Sequence, residues 1–311
     1  MTIGIIGAGA VGGYYGALLV KSGFEVHFLL KNDFEHVRKN GLVIDSKNGD
    51  FVLAAVNAYS RCEDMPKCDV VIVALKTTDN GLLQTMLPEV LKNNGIVVVL
   101  QNGLHIEKDI SEIVPSATVM GGLCFLCSNK TGPGHIRHLD YGSIRLGQYR
   151  KNDLPAGVTD ELKKVSDIFS KASIPVSLAE NLGMARWEKL VWNMSFNGTT
   201  VILNATTDRI MNNAFSRAMV TEIMREVICG AKICGYQIDE NFTETMLKAT
   251  QLMVDYRPSM KIDYDTQRPL EIENIYWRPI RTVEENGGEM PKSKTLAYQL
   301  NFLDQMNRKN I

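Results

Sequence analysis

Lys189, Asn193 and Asn197 fall at i, i+4 and i+8 in the segment Trp187-Glu188-Lys189-Leu190-Val191-Trp192-Asn193-Met194-Ser195-Phe196-Asn197. On one continuous helix that spacing lines them along a single face. The residues between them are mostly apolar, so the helix is built for burial. A cation and two amides placed there need a ligand or polar partners. The set suits reduction of a 2-oxo acid. Hydride addition to the carbonyl leaves an alkoxide, which an ammonium stabilises and protonates, and amides orient a carboxylate and a hydroxyl without adding net charge. The competing picture is a lysine that snorkels outward and asparagines that face neighbouring backbone. The chemical reading requires the Lys189 amine to be sheltered from bulk water.

A hydride must come from a cofactor, and Gly7-Ala8-Gly9-Ala10-Val11-Gly12 supplies a G-x-G-x-x-G between a predicted strand and a predicted helix. Residues without side chains let backbone N–H groups approach a pyrophosphate at the positive end of the helix. At the end of the second strand a carboxylate would bind ribose hydroxyls and repel a 2′-phosphate. The chain instead reads Phe28-Leu29-Leu30-Lys31-Asn32, with no acid before Asp33. Lys31 carries the charge that a 2′-phosphate wants, so the expectation is NADP rather than NAD. Lys76, after the strand Val70–Leu75, is placed to hold cofactor phosphate or ribose. Asn102, after the strand Ile96–Leu100, is placed to bond nicotinamide or substrate.

These residues need a frame. Ile3–Ile6, Glu25–Leu30, Val70–Leu75, Ile96–Leu100 and Thr118–Leu123 read as strands, several as continuous runs buried on both faces. Strand, helix, strand in alternation implies a doubly wound, mostly parallel Rossmann-type sheet. The segment Thr131-Gly132-Pro133-Gly134-His135 and then Tyr141–Gly147 suggest a hairpin or return strand at the edge of the first domain. Pro155–Lys171 reads as a helix and Ile174–Leu178 as a last strand. Beyond these, Glu180–Phe196, Ser216–Cys234, Asn241–Tyr256, Leu270–Asn286 and Lys292–Met306 carry helical periodicity. The expected division is a cofactor-binding domain at residues 1–178 and an all-helical substrate and catalytic domain at residues 179–311.

The balance of 34 Lys and Arg against 35 Asp and Glu argues against a nucleic-acid partner, which a clustered basic excess would signal. Apolar runs are too short to span a bilayer, and Met1–Gly7 lacks the basic start of a secretion signal. Six cysteines in 311 residues make no disulfide framework, so a cytoplasmic location with reduced thiols is expected. Cys124-x-x-Cys127 with His135-x-x-His138 invites a zinc site, but the spacing is poor and no metal is expected. An all-helical second domain is able to form a homodimer, although no seam for one is readable.

Taken in order along nearly the whole chain, several features resemble the ketopantoate reductase family, the 2-dehydropantoate 2-reductases. They are Gly7–Gly12, Lys76, Gln101-Asn102-Gly103, Gly132-Pro133-Gly134, Trp187-x-Lys189-Leu190 with Asn193 and Asn197, Ser259-Met260 with Asp263, and Glu271-Ile272-Glu273. The resemblance implies NADPH-dependent reduction of 2-dehydropantoate to pantoate, a step toward pantothenate and coenzyme A. It makes Lys189 the proton donor, also in contact with substrate, and Asn193 and Asn197 substrate amides. It puts Asn102 between nicotinamide and substrate, Ser259 on the substrate carboxylate, and Glu271 on the nicotinamide ribose or beside the lysine.

Two departures bear on the substrate. Pro258 stands where the family commonly has a serine, and Ala205-Thr206-Thr207 where some members carry a further asparagine. Tyr256, Arg257 and Lys261 add bulk and charge nearby. A reductase of a different small 2-oxo acid, a 6-phosphogluconate-like hydroxyacid dehydrogenase and a non-catalytic NADP-sensing module are the alternatives.

Overall fold

Val70 and Ile72 pack on one face of the central strand while Val71 and Val73 pack on the other, and all four are buried. Ile96 and Val98 alternate with Val97 and Val99 in the same way. Each such side chain contributes about 2 kcal/mol by leaving water, and a strand buried on both faces needs helices above and below it. The computed structural model describes residues 1–253, 255 and 257–309.

The chain runs β1 (Thr2–Ile6), α1 (Ala10–Lys21), β2 (Glu25–Leu29), α2 (Phe34–Asn40), β3 (Leu42–Ser46), β4 (Phe51–Leu53), β5 (Asn57–Tyr59) and β6 (Cys68–Val73). It continues with α3 (Leu83–Val90), β7 (Leu91–Val99), α4 (Ile106–Ile113), β8 (Thr118–Gly132), β9 (His135–Gln148), α5 (Asp160–Lys171) and β10 (Val176–Ala179). The strands form one mostly parallel sheet in the order β4-β3-β9-β8-β7-β6-β1-β2-β5, with β10 also on β9. Only β3–β4 and β8–β9 pair antiparallel. Helices α1 and α5 cover one face and α3 and α4 the other.

The expected hairpin exists, as β8 and β9 around Pro133-Gly134, and its strands are interior to the sheet. Strands β3 and β10 both pair with β9, and β4 lies outside β3. The long strand β9 leaves backbone groups along its outer side that β3 and β10 satisfy.

The remaining elements are helical: α6 (Leu182–Ile202), α7 (Thr207–Met211), α8 (Ala214–Ile233), α9 (Phe242–Leu252), α10 (Ser259–Asp265), α11 (Arg278–Glu285) and α12 (Pro291–Lys309). The helical periodicity expected over Leu270–Asn286 is met by an unbroken helical run over 272–285, which contains a π-helical turn, Glu273–Trp277, leading into α11. Pro279 has no N–H to give where a continuous α-helix would need a donor for Ile275, and the chain widens just before it. Trp187, Leu190, Val191, Met194 and Phe196 of α6 share an apolar core with Val220, Met224, Ile280 and Leu300.

The residues cluster into two compact units, Met1–Gln101 with Ile106–Leu182, and Asn102–His105 with Gly183–Ile311. The short Asn102–His105 loop thus groups with the helices although its neighbours in sequence belong to the sheet.

Candidate active site

In the sheet unit, Gly7 follows β1 with φ +94°, and a Cβ there would stand 2.6 Å from the Leu75 nitrogen. Gly12, on the first turn of α1, presses on the Gly7 carbonyl and the Ala74 side chain so closely that a Cβ has no room. Gly9 is different. It caps α1, and nothing lies within 4 Å of where its Cβ would be. Turn, close packing and open approach are the three demands that a pyrophosphate makes on this motif. Ala8, Ala10 and Val11 are half-buried, and no acidic residue occupies the first turn of α1 to oppose an anion.

Lys31 follows β2 and is exposed. Asp33, the first acid after that strand, is buried and ion-paired with Lys130 at 2.5 Å. It also accepts the Gly134 N–H at 3.1 Å, so its carboxylate serves the β8–β9 hairpin. Lys76 is half-buried at the start of the 3₁₀ turn Thr77–Leu82. Gln101 is buried and donates from Nε2 to the Leu75 carbonyl at 2.9 Å and to Asn80 Oδ1 at 2.6 Å.

In the helical unit, α6 is unbroken from Leu182 to Ile202, so Lys189, Asn193 and Asn197 do share one face. Lys189 is half-buried, Asn193 is 6% exposed and Asn197 only 2%. Among the described residues neither amide side chain makes a hydrogen bond to the protein. Two nearby hydroxyls behave otherwise, Ser195 donating to the Val191 carbonyl at 2.8 Å and Thr200 to the Phe196 carbonyl at 2.8 Å, while buried Thr199 Oγ1 has no partner among the described residues. Trp192 donates to Thr250 Oγ1 at 3.0 Å and stacks on Phe196. Amides left in this state are suited to a ligand.

Sequence reasoning missed three residues here. Arg186 is a buried cation on the same face as Lys189, and its place one turn ahead of the lysine was the available signal. Tyr276 is wholly buried, and its hydroxyl donates to the Met194 carbonyl and accepts the Gly198 N–H, each at 2.8 Å. Burial pushes its phenol well above the ordinary value, so the hydroxyl keeps its proton. Asn274 is buried, and its carbonyl accepts the Leu104 N–H at 3.0 Å.

Asn102 is half-buried in the loop that Asn274 holds. Glu271 is buried just ahead of the π-turn. Ser259 opens α10, half-buried, and no hydrogen bond among the described residues joins its side chain to α6. Of the groups flagged near it, Arg257 lies 3.6 Å from Asp265, and buried Lys261 pairs with the same carboxylate. Both cations are thereby committed; Tyr256 lies outside the described residues. Thr207 is buried at the start of α7, and Asn204 is exposed.

Among the described residues no cluster of His, Cys, Asp or Glu is arranged to hold a metal ion. His138 Nδ1 meets Tyr14 at 3.0 Å and Ser46 at 2.9 Å, while its Nε2 faces the Tyr141 carbonyl. No helix among those residues is long and apolar enough to cross a membrane.

The family model Ketopantoate reductase PanE/ApbA matches residues 3–151, and Ketopantoate reductase PanE/ApbA C terminal matches residues 181–304. The chain belongs to the ketopantoate reductase family. It is therefore an oxidoreductase by family. A 2-dehydropantoate 2-reductase of Nostoc sp. is 52% identical over 304 residues, covering 98% of this chain and 95% of the relative. The crystal structure of 2-dehydropantoate 2-reductase from Geobacter metallireducens superposes with a TM-score of 0.92 at 38% identity, over 97% of this chain and 99% of that one. The corresponding enzyme from Methylococcus capsulatus gives 0.88 at 28% identity, over 99% and 98%. The ketopantoate reductase fold, a mostly parallel sheet followed by an all-helical region, is the fold described above.

Proposed function

We propose that the protein reduces 2-dehydropantoate to pantoate with NADPH. The observation that carries this reading is the pair of buried amides, Asn193 and Asn197, which make no side-chain hydrogen bond among the described residues and share a face of α6 with Lys189. Their amide atoms are not sealed off inside the protein, so a bound molecule is able to meet them, and a 2-oxo acid offers a carboxylate, a carbonyl and, here, a hydroxyl. The relative of Nostoc sp. named for this reaction supports the choice of substrate. The bound nicotinamide supplies the hydride.

The chain's own residues do the rest. The Gly7–Gly12 turn presents backbone N–H groups to the pyrophosphate, with Lys76 near phosphate or ribose and Lys31 for the 2′-phosphate. Lys189 holds a proton on Nζ and gives it to the oxygen that becomes the hydroxyl of pantoate, stabilising the negative charge there as it develops. Asn193 and Asn197 orient the substrate, Ser259 meets its carboxylate, and Asn102 and Glu271 serve the nicotinamide end. The test is NADPH oxidation with 2-dehydropantoate and with smaller branched 2-oxo acids, on wild type and Lys189→Ala. Turnover with 2-dehydropantoate that Lys189→Ala abolishes, at unchanged NADPH affinity, is expected. Equal turnover in the variant would overturn the mechanism, and preference for another 2-oxo acid would overturn the substrate.

A further inference from the structure

The backbone of α6 is gripped from outside by the Tyr276 hydroxyl. Met194 C=O and Gly198 N–H are the acceptor and donor that an α-helix joins directly at i and i+4. The Tyr276 hydroxyl reaches both at 2.8 Å. Gly198 makes the approach feasible, because a Cβ there would stand 2.5 Å from that hydroxyl and 2.9 Å from Leu296 Cδ2. Each backbone group so held belongs to the residue immediately after a substrate amide: Asn193 precedes Met194 and Asn197 precedes Gly198.

The π-turn that carries Tyr276 also grips a second strip of the site. Asn274 accepts the Leu104 N–H at 3.0 Å, and a Cβ on Gly103 would stand 2.5 Å from the Asn274 carbonyl oxygen. Arg278, which follows the turn, donates to the His105 carbonyl at 3.3 Å. The turn therefore holds the backbone beside Asn193 and Asn197 with one residue, and the backbone beside Asn102 with another two positions away.

We propose that Tyr276 is a positioning residue for the 2-oxo acid, setting Asn193 and Asn197 through the α6 backbone while the same π-turn sets Asn102. The proposal rests on the function given above, in that the amides bind substrate. A single oxygen does the work, and Tyr276→Phe removes it while leaving the ring to fill the core. The helix can close its own hydrogen bond in the variant, so the fold survives.

The experiment compares wild type, Tyr276→Phe, Asn197→Ala and the double variant with NADPH and 2-dehydropantoate at 25 °C. Tyr276→Phe should raise KM for the 2-oxo acid about tenfold and leave KM for NADPH unchanged. The double variant should lose less than the product of the two single losses. A second measurement needs no variant: the hydroxyl proton of Tyr276, followed by NMR in wild type, should shift when 2-oxo acid binds and not when NADPH alone binds. A KM for 2-oxo acid within twofold of wild type, with only the melting temperature lowered, would overturn the proposal, as would a hydroxyl proton indifferent to the 2-oxo acid. Wild type inert toward every 2-oxo acid would defeat the functional reading instead, so the two failures are distinguishable.

Discussion

The ammonium of Lys130 lies 2.5 Å from the carboxylate of Asp33, the first acid after β2. An acid at the end of that strand would otherwise bind the adenosine ribose and repel a 2′-phosphate. Here it is buried and neutralised by a residue of β8, which leaves exposed Lys31 as the charge at the strand end. Lys31→Ala should raise KM for NADPH about five- to tenfold, the loss of one solvent-screened phosphate contact. KM for NADH should stay within twofold. Steady-state kinetics with both cofactors checks this, and equal changes for the two would remove Lys31 from the phosphate.

The glycines of the first turn should separate by role. Gly9 has open space where a Cβ would go, so Gly9→Ala should fold with an unchanged melting temperature. Its methyl group would stand where the pyrophosphate approaches, and NADPH affinity should drop at least about tenfold. Gly12 has the Gly7 carbonyl against it, so Gly12→Ala should lower the melting temperature as well as cofactor binding. Calorimetry on the two variants, with NADPH titrated into each, tells the roles apart. A stability loss in Gly9→Ala larger than in Gly12→Ala would contradict them.

What the sequence made legible follows its periodicities. Val70–Val73 and Ile96–Val99 are unbroken apolar runs, and strands covered on both faces produce such runs. The α6 face was legible because a spacing of four survives in any continuous helix. Strands β3 and β4 were not legible, since Leu42–Ser46 alternates over only five residues and just Leu42 and Ile44 are fully buried. Asn48-Gly49 between them was the available hairpin signal, and Gly49 does adopt φ +109°. The π-turn was hidden for another reason. Tyr276 reads in sequence as one more apolar core residue, and its hydroxyl acquires meaning only from α6, 82 residues away along the chain.

Asp69 ties three parallel strands together at one end. Its carboxylate accepts the Thr2 N–H at 2.8 Å and pairs with Lys92 at 2.9 Å. The Thr2 N–H first, and then Lys92, hold its pKa down to about 2, from an ordinary 3.8. A carboxyl with a depressed folded pKa stabilises the protein above its unfolded pKa and loses that contribution as pH falls through the folded value. The contribution is small, because the side chain is 39% exposed. Asp69→Asn should therefore melt a few degrees below wild type at pH 7, with the gap shrinking below pH 4 and closing near pH 2. Melting curves across that range test the sign; a gap that widened toward acid would refute it.

Among the described residues the side chains of Asn193 and Asn197 bond no protein group, unlike those of Ser195 and Thr200 on the same helix, so their replacement should cost little folding energy. That sets them apart from an ordinary buried amide, whose loss strands its former partner. Asn193→Ala and Asn197→Ala should each keep a melting temperature within a few degrees of wild type. Each should raise KM for 2-dehydropantoate about tenfold to hundredfold, the worth of one hydrogen bond to a charged or polarised substrate group. Affinity for NADPH should not move, whereas Lys189→Ala should act chiefly on kcat, by about a hundredfold or more. The opposite split, in which the amide variants unfold or lose kcat at constant KM, would mean that the α6 amides hold the helix and not the substrate.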